Sequence, residues 1–95
     1  MNNIERKELI KNTWEIHDLI ESCYLDSHAV KGDPEWGEKQ RILLADMAIH
    51  LLQTAMNSGD IKLDELKNNL YAILNIADQF LPKLGLKELT KKFHY

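Results

Sequence analysis

The chain has 95 residues and a mass of 11.1 kDa, which is enough for one domain and too little for two independent cores. Apolar residues make up 44% and charged residues 28%, a composition typical of a folded globular protein and not of a disordered chain. With 15 acidic and 12 basic residues the net charge is −3, which argues against non-specific nucleic-acid binding because that needs clustered lysine and arginine.

The cysteine content and the apolar segments indicate where such a chain would reside. A single cysteine, Cys23, excludes an intrachain disulfide and suits a reducing compartment. Residues 1–11 are polar and do not resemble a signal peptide. The longest nearly apolar run, 42–52, contains Asp46 and His50 and is too short to span a bilayer. We therefore expect a cytoplasmic protein with no membrane span.

Three breaks rich in glycine, proline and small polar residues divide the chain, at 32–34, 57–60 and 82–85. They separate four segments with helical periodicity, and no stretch alternates apolar and polar residues for long enough to predict a strand. The predicted fold is all-α, a small helical bundle of three long helices plus a short C-terminal helix. Residues 1–95 are predicted to form one domain.

The first segment is predicted to be helical from about Ile4 to Tyr24, or as far as Val30, with Asn2 or Asn3 as its N-cap. Its apolar face is expected to consist of Leu9, Thr13, Ile16, Ile20 and Cys23. Trp14 lies beside this face, and we expect its side chain to be buried at the edge of the core. Cys23 is interpreted as an inert, small apolar residue.

The second segment has the clearest predicted start, with Asp33 as N-cap and Pro34 at the first helical position. Nearly all residues from 42 to 56 are apolar, which predicts a central helix with neighbours on most sides. The polar exceptions recur at helical spacing and are expected to form one narrow strip facing water, made of Asp46, His50, Gln53 and Asn57. Gly59 is predicted to be the C′ residue after the helix.

The third segment, Leu63 to Phe80, is amphipathic, and Pro82 is expected to end it. Ile76 lies off the apolar period and is therefore predicted to be an exposed contact residue. The last segment, Leu86 to Phe93, is too short to be helical by itself in water, so it must dock on another element or fray.

The charged residues are unevenly distributed along the chain. Between Glu15 and Glu38 there are seven acidic residues and one base, whereas residues 83–92 contain four lysines and one acid. Three interpretations are open: two solvated faces, a docking surface for a partner of opposite charge, or a tail that folds against the acidic stretch of its own or a second chain.

A metal site would have to use residues that are far apart in sequence. The residues of metal-ligand type that could gather are His17, Cys23, His28, Asp46 and His50. The sequence contains neither Glu-x-x-His nor Cys-x-x-Cys, the motifs of di-iron bundles and of thiolate zinc sites. We therefore interpret Asp46 and His50 as members of a hydrogen-bonded polar strip, and predict no metal, no cofactor and no catalytic residue.

Two local resemblances define the alternatives. His17-Asp18 is similar to the metal-ligating dipeptide of the HD phosphohydrolases, which implies a metal-dependent hydrolase-like helical protein in which His17, Asp46 and His50 would converge. The stretch 57–74, where Ile61-Lys62-Leu63-Asp64-Glu65-Leu66 opens a helix, resembles the third-to-fourth helix junction of pediocin-type bacteriocin immunity proteins. That resemblance implies a cytosolic four-helix bundle whose C-terminal part recognises a toxin–receptor complex.

The function predicted from the sequence is that of a non-enzymatic interaction protein, a small regulator, inhibitor or adaptor that binds a protein partner or a second copy of itself. Trp36 is interpreted either as a staple that closes the first joint or as an exposed aromatic anchor. The predicted acidic surface consists of Asp18, Glu21, Asp26, Glu35, Trp36 and Glu38. The predicted basic tail consists of Lys87, Lys91, Lys92 and Phe93.

Overall fold

The computed structural model describes residues 1–93 and contains four α-helices followed by a single 3-10 turn. The elements are α1 (Asn3–Asp26), α2 (Trp36–Met56), α3 (Leu63–Phe80), α4 (Leu86–Thr90) and the turn Lys91–Phe93. No strand occurs within residues 1–93. The prediction of an all-α fold with three long helices and a short C-terminal one is confirmed, and the predicted bounds of the third helix match α3.

The first helix begins with a capping box, as the predicted N-cap asparagine allows. Asn2 Oδ1 accepts a hydrogen bond from the Glu5 backbone N–H at 2.8 Å, and the Asn2 N–H donates to Glu5 Oε1 at 3.1 Å. Two otherwise unpaired donors at the helix start are thereby satisfied. Glu5 also places negative charge at the positive end of the helix dipole.

The start of α2 differs from the prediction. Asp33 Oδ2 accepts a hydrogen bond from the Val30 N–H at 2.9 Å, so this carboxylate closes the preceding turn and does not cap the helix. The turn runs through Gly32, whose φ of 104° lies in the region that favours glycine. The N-cap is Glu35, which makes no side-chain capping bond, and Pro34 therefore precedes the helix. At the other end the C-cap is Asn57, which makes Ser58 the C′ residue. The prediction that Gly59 occupies C′ is therefore wrong by one residue.

The central position of α2 is confirmed, since α1 and α3 both pack against it while α4 packs against α3. Near one end of the molecule, Gln79 Nε2 donates to Gln40 Oε1 at 2.9 Å and ties α3 to α2. The helices form an open, flat layer with principal dimensions of 45 × 34 × 18 Å. Its radius of gyration is 15.1 Å, whereas a compact domain of this length would have about 12.4 Å.

The interior of this layer is small and largely polar. Within residues 1–93 the buried apolar side chains are Ala29 and Ile76. The buried polar residues are Thr13, Gln40, Asp46, Gln53, Thr54 and Thr90. The prediction that Ile76 is an exposed contact is wrong, because α3 is covered by both α2 and α4 and so buries a wider arc of its surface.

Three predictions about α1 are also wrong. Trp14 is 51% exposed, Ile16 is 46% exposed, and Cys23 lies at the surface. The reason is that α1 packs against α2 mainly along the line of Thr13 and His17, so both flanks of its apolar face stay open. Leu19, 67% exposed, lies on the same open flank as Ile16 and Cys23, because spacings of three and four residues place side chains on one helix face.

None of the helices within residues 1–93 combines the length and the apolar character needed to cross a membrane.

Candidate functional site

The polar strip of α2 faces α1. Asp46 and Gln53 are buried, His50 is half-buried, and Asn57 at the helix end is exposed. The prediction that this strip forms the water-facing side of α2 is wrong, because α1 presents Thr13 and His17 as hydrogen-bonding partners for it. Periodicity shows that these polar residues share one face of the helix. It does not show which other element packs against that face.

One half of the contact between α1 and α2 is a buried pair of neutral polar side chains. Gln53 Nε2 donates to Thr13 Oγ1 at 3.2 Å, and Thr13 Oγ1 donates to the Ile10 carbonyl at 2.6 Å. Thr13 is only 1% exposed. Because an unpaired buried amide is costly, this pair fixes the register of α1 against α2.

The other half is a cluster of ionisable side chains around Asp46. His17 Nδ1 lies 2.5 Å from Asp46 Oδ1, and His50 Nε2 lies 3.4 Å from Asp46 Oδ2. On the far side of the His17 ring, Nε2 lies 3.1 Å from Glu21 Oε2. The side chains of His17 and Asp46 are 12% and 13% exposed, so their interaction is largely shielded from water. We refer to His17, Glu21, Asp46 and His50 as the histidine cluster.

Aromatic contacts fix the orientation of the two imidazoles. The rings of His17 and His50 meet edge to face with their centroids 4.8 Å apart. Trp14 lies against His17 in a similar T-shaped arrangement at 5.5 Å. The indole, although half-exposed, therefore shields one side of the histidine cluster.

The surroundings of His17 favour its protonated form. The hydrogen bond with Asp46 raises the pKa of His17 above the ordinary value of 6.5, with the negative charges of Asp46, Glu21 and Asp18 acting in the same direction. Burial of the ring opposes this effect and does not overcome it.

A cleft of about 410 Å³ lies beside the cluster, where α1, α2 and α3 meet. Its lining combines an aromatic ring with amides, a hydroxyl and a carboxylate, contributed by Trp14, His50, Gln53, Thr54, Asn57, Glu65, Asn68 and Asn69. Within this lining Thr54 Oγ1 lies 2.5 Å from Asn69 Oδ1, a hydrogen bond that joins α2 to α3. His50 belongs both to this wall and to the histidine cluster, so the cluster is reached from the cleft.

The residues of the predicted acidic surface are spread over α1, the first joint and the start of α2. All its carboxylates are exposed, and Trp36 is half-buried. Glu38 pairs with Arg41 at 3.1 Å, and Glu21 belongs to the histidine cluster. Asp18, the second residue of the HD-like dipeptide, is exposed.

The lysines of the predicted basic tail are also exposed, and Phe93 is half-buried. Lys91 pairs with Glu88 at 2.9 Å, inside the tail itself. Within residues 1–93 no ion pair joins the basic tail to the acidic surface.

Sequence reasoning located Asp46 and His50 on one helix face, and it brought His17 of α1 to them only in the hydrolase-like alternative. The partner residues that it missed are Thr13 and Trp14, whereas Glu21 was assigned to the acidic surface. One signal was present: a threonine at a central position of an otherwise apolar stripe is unusual unless another buried polar group accepts or donates to it.

Comparisons with known proteins identify no relative of this chain: they find no matching family model, no similar curated protein and no similar solved structure.

Proposed function

We propose that this chain is a non-enzymatic interaction protein that assembles with a second copy of itself through apolar helix faces left open in the single chain. The observation that carries this proposal is the accessible surface. It amounts to 6990 Å², whereas a folded monomer of this mass would expose about 5,700 Å². Each chain thus exposes roughly 1,300 Å² more than a self-sufficient domain of its size.

The size of this excess matches a permanent interface better than a transient one. Covering it on two chains would bury about 2,600 Å² in total, which is in the range of obligate homodimers. Few apolar side chains are fully buried and many are only half-buried, so covering them would add to the hydrophobic stabilisation that the single chain gains by folding. A partner that covers this surface stabilises the folded chain, and a second copy is available wherever the chain is made.

The outer face of α2 is where we expect the second copy to bind. Ala45, Ala48 and Ala55 are exposed on the side of the helix opposite the polar strip. Small side chains let another helix approach closely, and a helix that is apolar on nearly all sides is usually covered on all sides. Leu19 of α1 is a further exposed apolar side chain.

The experiment that tests this proposal compares the mass of the assembled protein with that of matched variants. Light scattering after size exclusion and sedimentation equilibrium are expected to give twice 11.1 kDa for the natural chain. Ala48→Lys exchanges one good helix former for another, so it should leave the helix intact but give a monomer. The control, Ser22→Lys, adds the same charge at an exposed position of α1 and should remain dimeric. A natural chain that stays monomeric and melts cooperatively at high concentration would refute the proposal.

The charged surfaces are proposed to orient the two copies. Since the acidic surface and the basic tail are not paired with each other within residues 1–93, a second copy offers each of them an opposite charge. Glu35→Lys with Glu38→Lys should slow association at low salt, and adding Lys87→Glu with Lys91→Glu should restore it. The difference should vanish near 1 M salt, where screening acts within about 3 Å. An association rate unchanged by the first pair of substitutions would show that these charges do not orient the dimer.

A further inference from the structure

We infer that His17, Asp46 and His50 form a binding site for a zinc-class divalent transition metal, held between α1 and α2. One ligand atom from each of the three side chains lies within 4.8 Å of the others. Two imidazoles and one carboxylate are the donor set that suits zinc and its neighbours in the first transition row. Calcium and magnesium prefer oxygen donors alone and fit this set poorly.

The distances around Asp46 are close to those that a metal would impose. Bonds of about 2.0–2.2 Å to nitrogen and oxygen place neighbouring ligands of a tetrahedral ion about 3.3–3.5 Å apart. Asp46 Oδ2 and His50 Nε2 are already 3.4 Å apart. His17 Nδ1 lies 2.5 Å from the other oxygen of the carboxylate, Oδ1, so this imidazole has to move back from Asp46 to admit the ion.

Glu21 supplies the outer partner that metal-binding histidines commonly have. It lies 3.1 Å from His17 Nε2 and can accept a hydrogen bond from that nitrogen. With the proton held on Nε2, the lone pair of Nδ1 is directed to the side of the ring where Asp46 lies. In the metal-bound site the Glu21 carboxylate would hydrogen-bond to His17, and His17 would bind the metal through its other nitrogen. Glu21 would thereby fix the tautomer and the orientation of the His17 ring.

The other trio that shares His17 is less suited to a metal. It consists of His17, Asp18 and Glu21, and its two carboxylates are exposed on a single helix. The trio around Asp46 joins two helices and is partly buried, so an ion there would also fasten α1 to α2. The side chain of His50 is 34% exposed and lines the cleft, which gives the ion a route from solvent.

The experiment titrates zinc into the full chain after treatment with chelator, using calorimetry, with cobalt absorption spectroscopy as an independent report on the ligands. One zinc ion per chain is expected. His50→Gln should weaken binding by more than about 100-fold, while Glu21→Gln, which removes only the outer partner, should weaken it about 10–100-fold. The matched controls, His28→Gln and Glu15→Gln, change exposed residues outside the cluster and should bind as the natural chain does.

Two further variants test whether a loss of zinc binding comes from the site itself. Asp46→Asn should also abolish binding, and if circular dichroism shows that it fails to fold, the half-exposed His50 position still tests the site. Ala48→Lys should bind one zinc ion per chain whether or not it dimerises, which separates this inference from the proposed function. The inference is overturned if the natural chain binds no zinc, or if His50→Gln binds it as tightly as His28→Gln does.

Discussion

Replacing Asp46 with asparagine should change both the stability of the metal-free chain and the way that stability depends on pH. Asn has nearly the same shape as Asp, so the substitution removes the negative charge that His17 contacts while leaving the packing of α1 and α2 in place. A hydrogen bond to a charged group contributes about 1.5–3 kcal/mol. The His17–Asp46 contact is short and its side chains are only 12% and 13% exposed, so solvent weakens it little.

The sign of the pH effect follows from the direction of the pKa shift. His17 binds its proton more tightly in the folded chain than in the unfolded one, because its pKa is raised by Asp46. The contribution of the pair to stability is therefore fully present below the unfolded pKa of about 6.5 and is lost as the pH rises through the folded pKa. Asp18, Glu21 and His50 also face the ring, and the two carboxylates act in the same direction as Asp46.

The assay is thermal unfolding by circular dichroism, in chelator and at constant protein concentration, at pH values between about 5.5 and 8.5. Near pH 6 the loss of about 2 kcal/mol in Asp46→Asn should lower the Tm by roughly 8–16 °C. Near pH 8.5 the loss should be clearly smaller, and the variant should show a flatter pH profile. The control Glu15→Gln changes an exposed carboxylate outside the histidine cluster and should retain the slope of the natural chain. If Asp46→Asn costs the same at both ends of the range, the coupling between His17 and Asp46 assigned above is incorrect.

Other substitutions test the remaining contacts by chemical or thermal unfolding. Thr13→Val leaves the Gln53 amide without its acceptor and should lower the free energy of unfolding by about 1–3 kcal/mol. Combining it with Gln53→Leu should be nearly neutral, since both polar groups are then gone. Additive losses in the double variant would show that the two residues do not interact. Asn2→Ala removes the capping box and should cost about 1 kcal/mol, and no loss would mean that the start of α1 frays. Ile76→Ala should cost about 2–5 kcal/mol, a value that a surface position would not give.

The local features of the fold could be predicted because their causes are local. The bounds of α3 follow from an apolar period of 3.6 residues that ends before Pro82, and the start of α1 follows from Asn2 and its capping partner Glu5. Asp33 was misassigned because a carboxylate before Pro34 can equally cap a helix or close the preceding turn. The turn at Gly32 determines that Asp33 closes the turn and does not cap the helix. The sequence pattern does not specify the geometry of that turn.

The histidine cluster could be predicted only in part. The spacing of four residues between Asp46 and His50 places both on one face of α2, which is a property of any helix. His17 lies 29 positions away from Asp46 in the chain, and their contact depends on the register with which α1 packs against α2. That register is fixed by Thr13 and Gln53, whose pairing is visible only when both helices are present.

α2 turns its polar strip toward α1 and leaves Ala45, Ala48 and Ala55 exposed, an arrangement that assembly with a second copy would explain. The polar face provides specificity, because hydrogen bonds between buried groups fail when one helix slides or rotates against the other. The apolar face provides free energy, because covering it removes surface from water without demanding a particular register. In such a chain the single copy specifies how α1, α2 and α3 are arranged, while much of the stabilisation comes from association. The Tm of the natural chain should then rise with protein concentration, whereas the Tm of Ala48→Lys should be lower and should not depend on concentration.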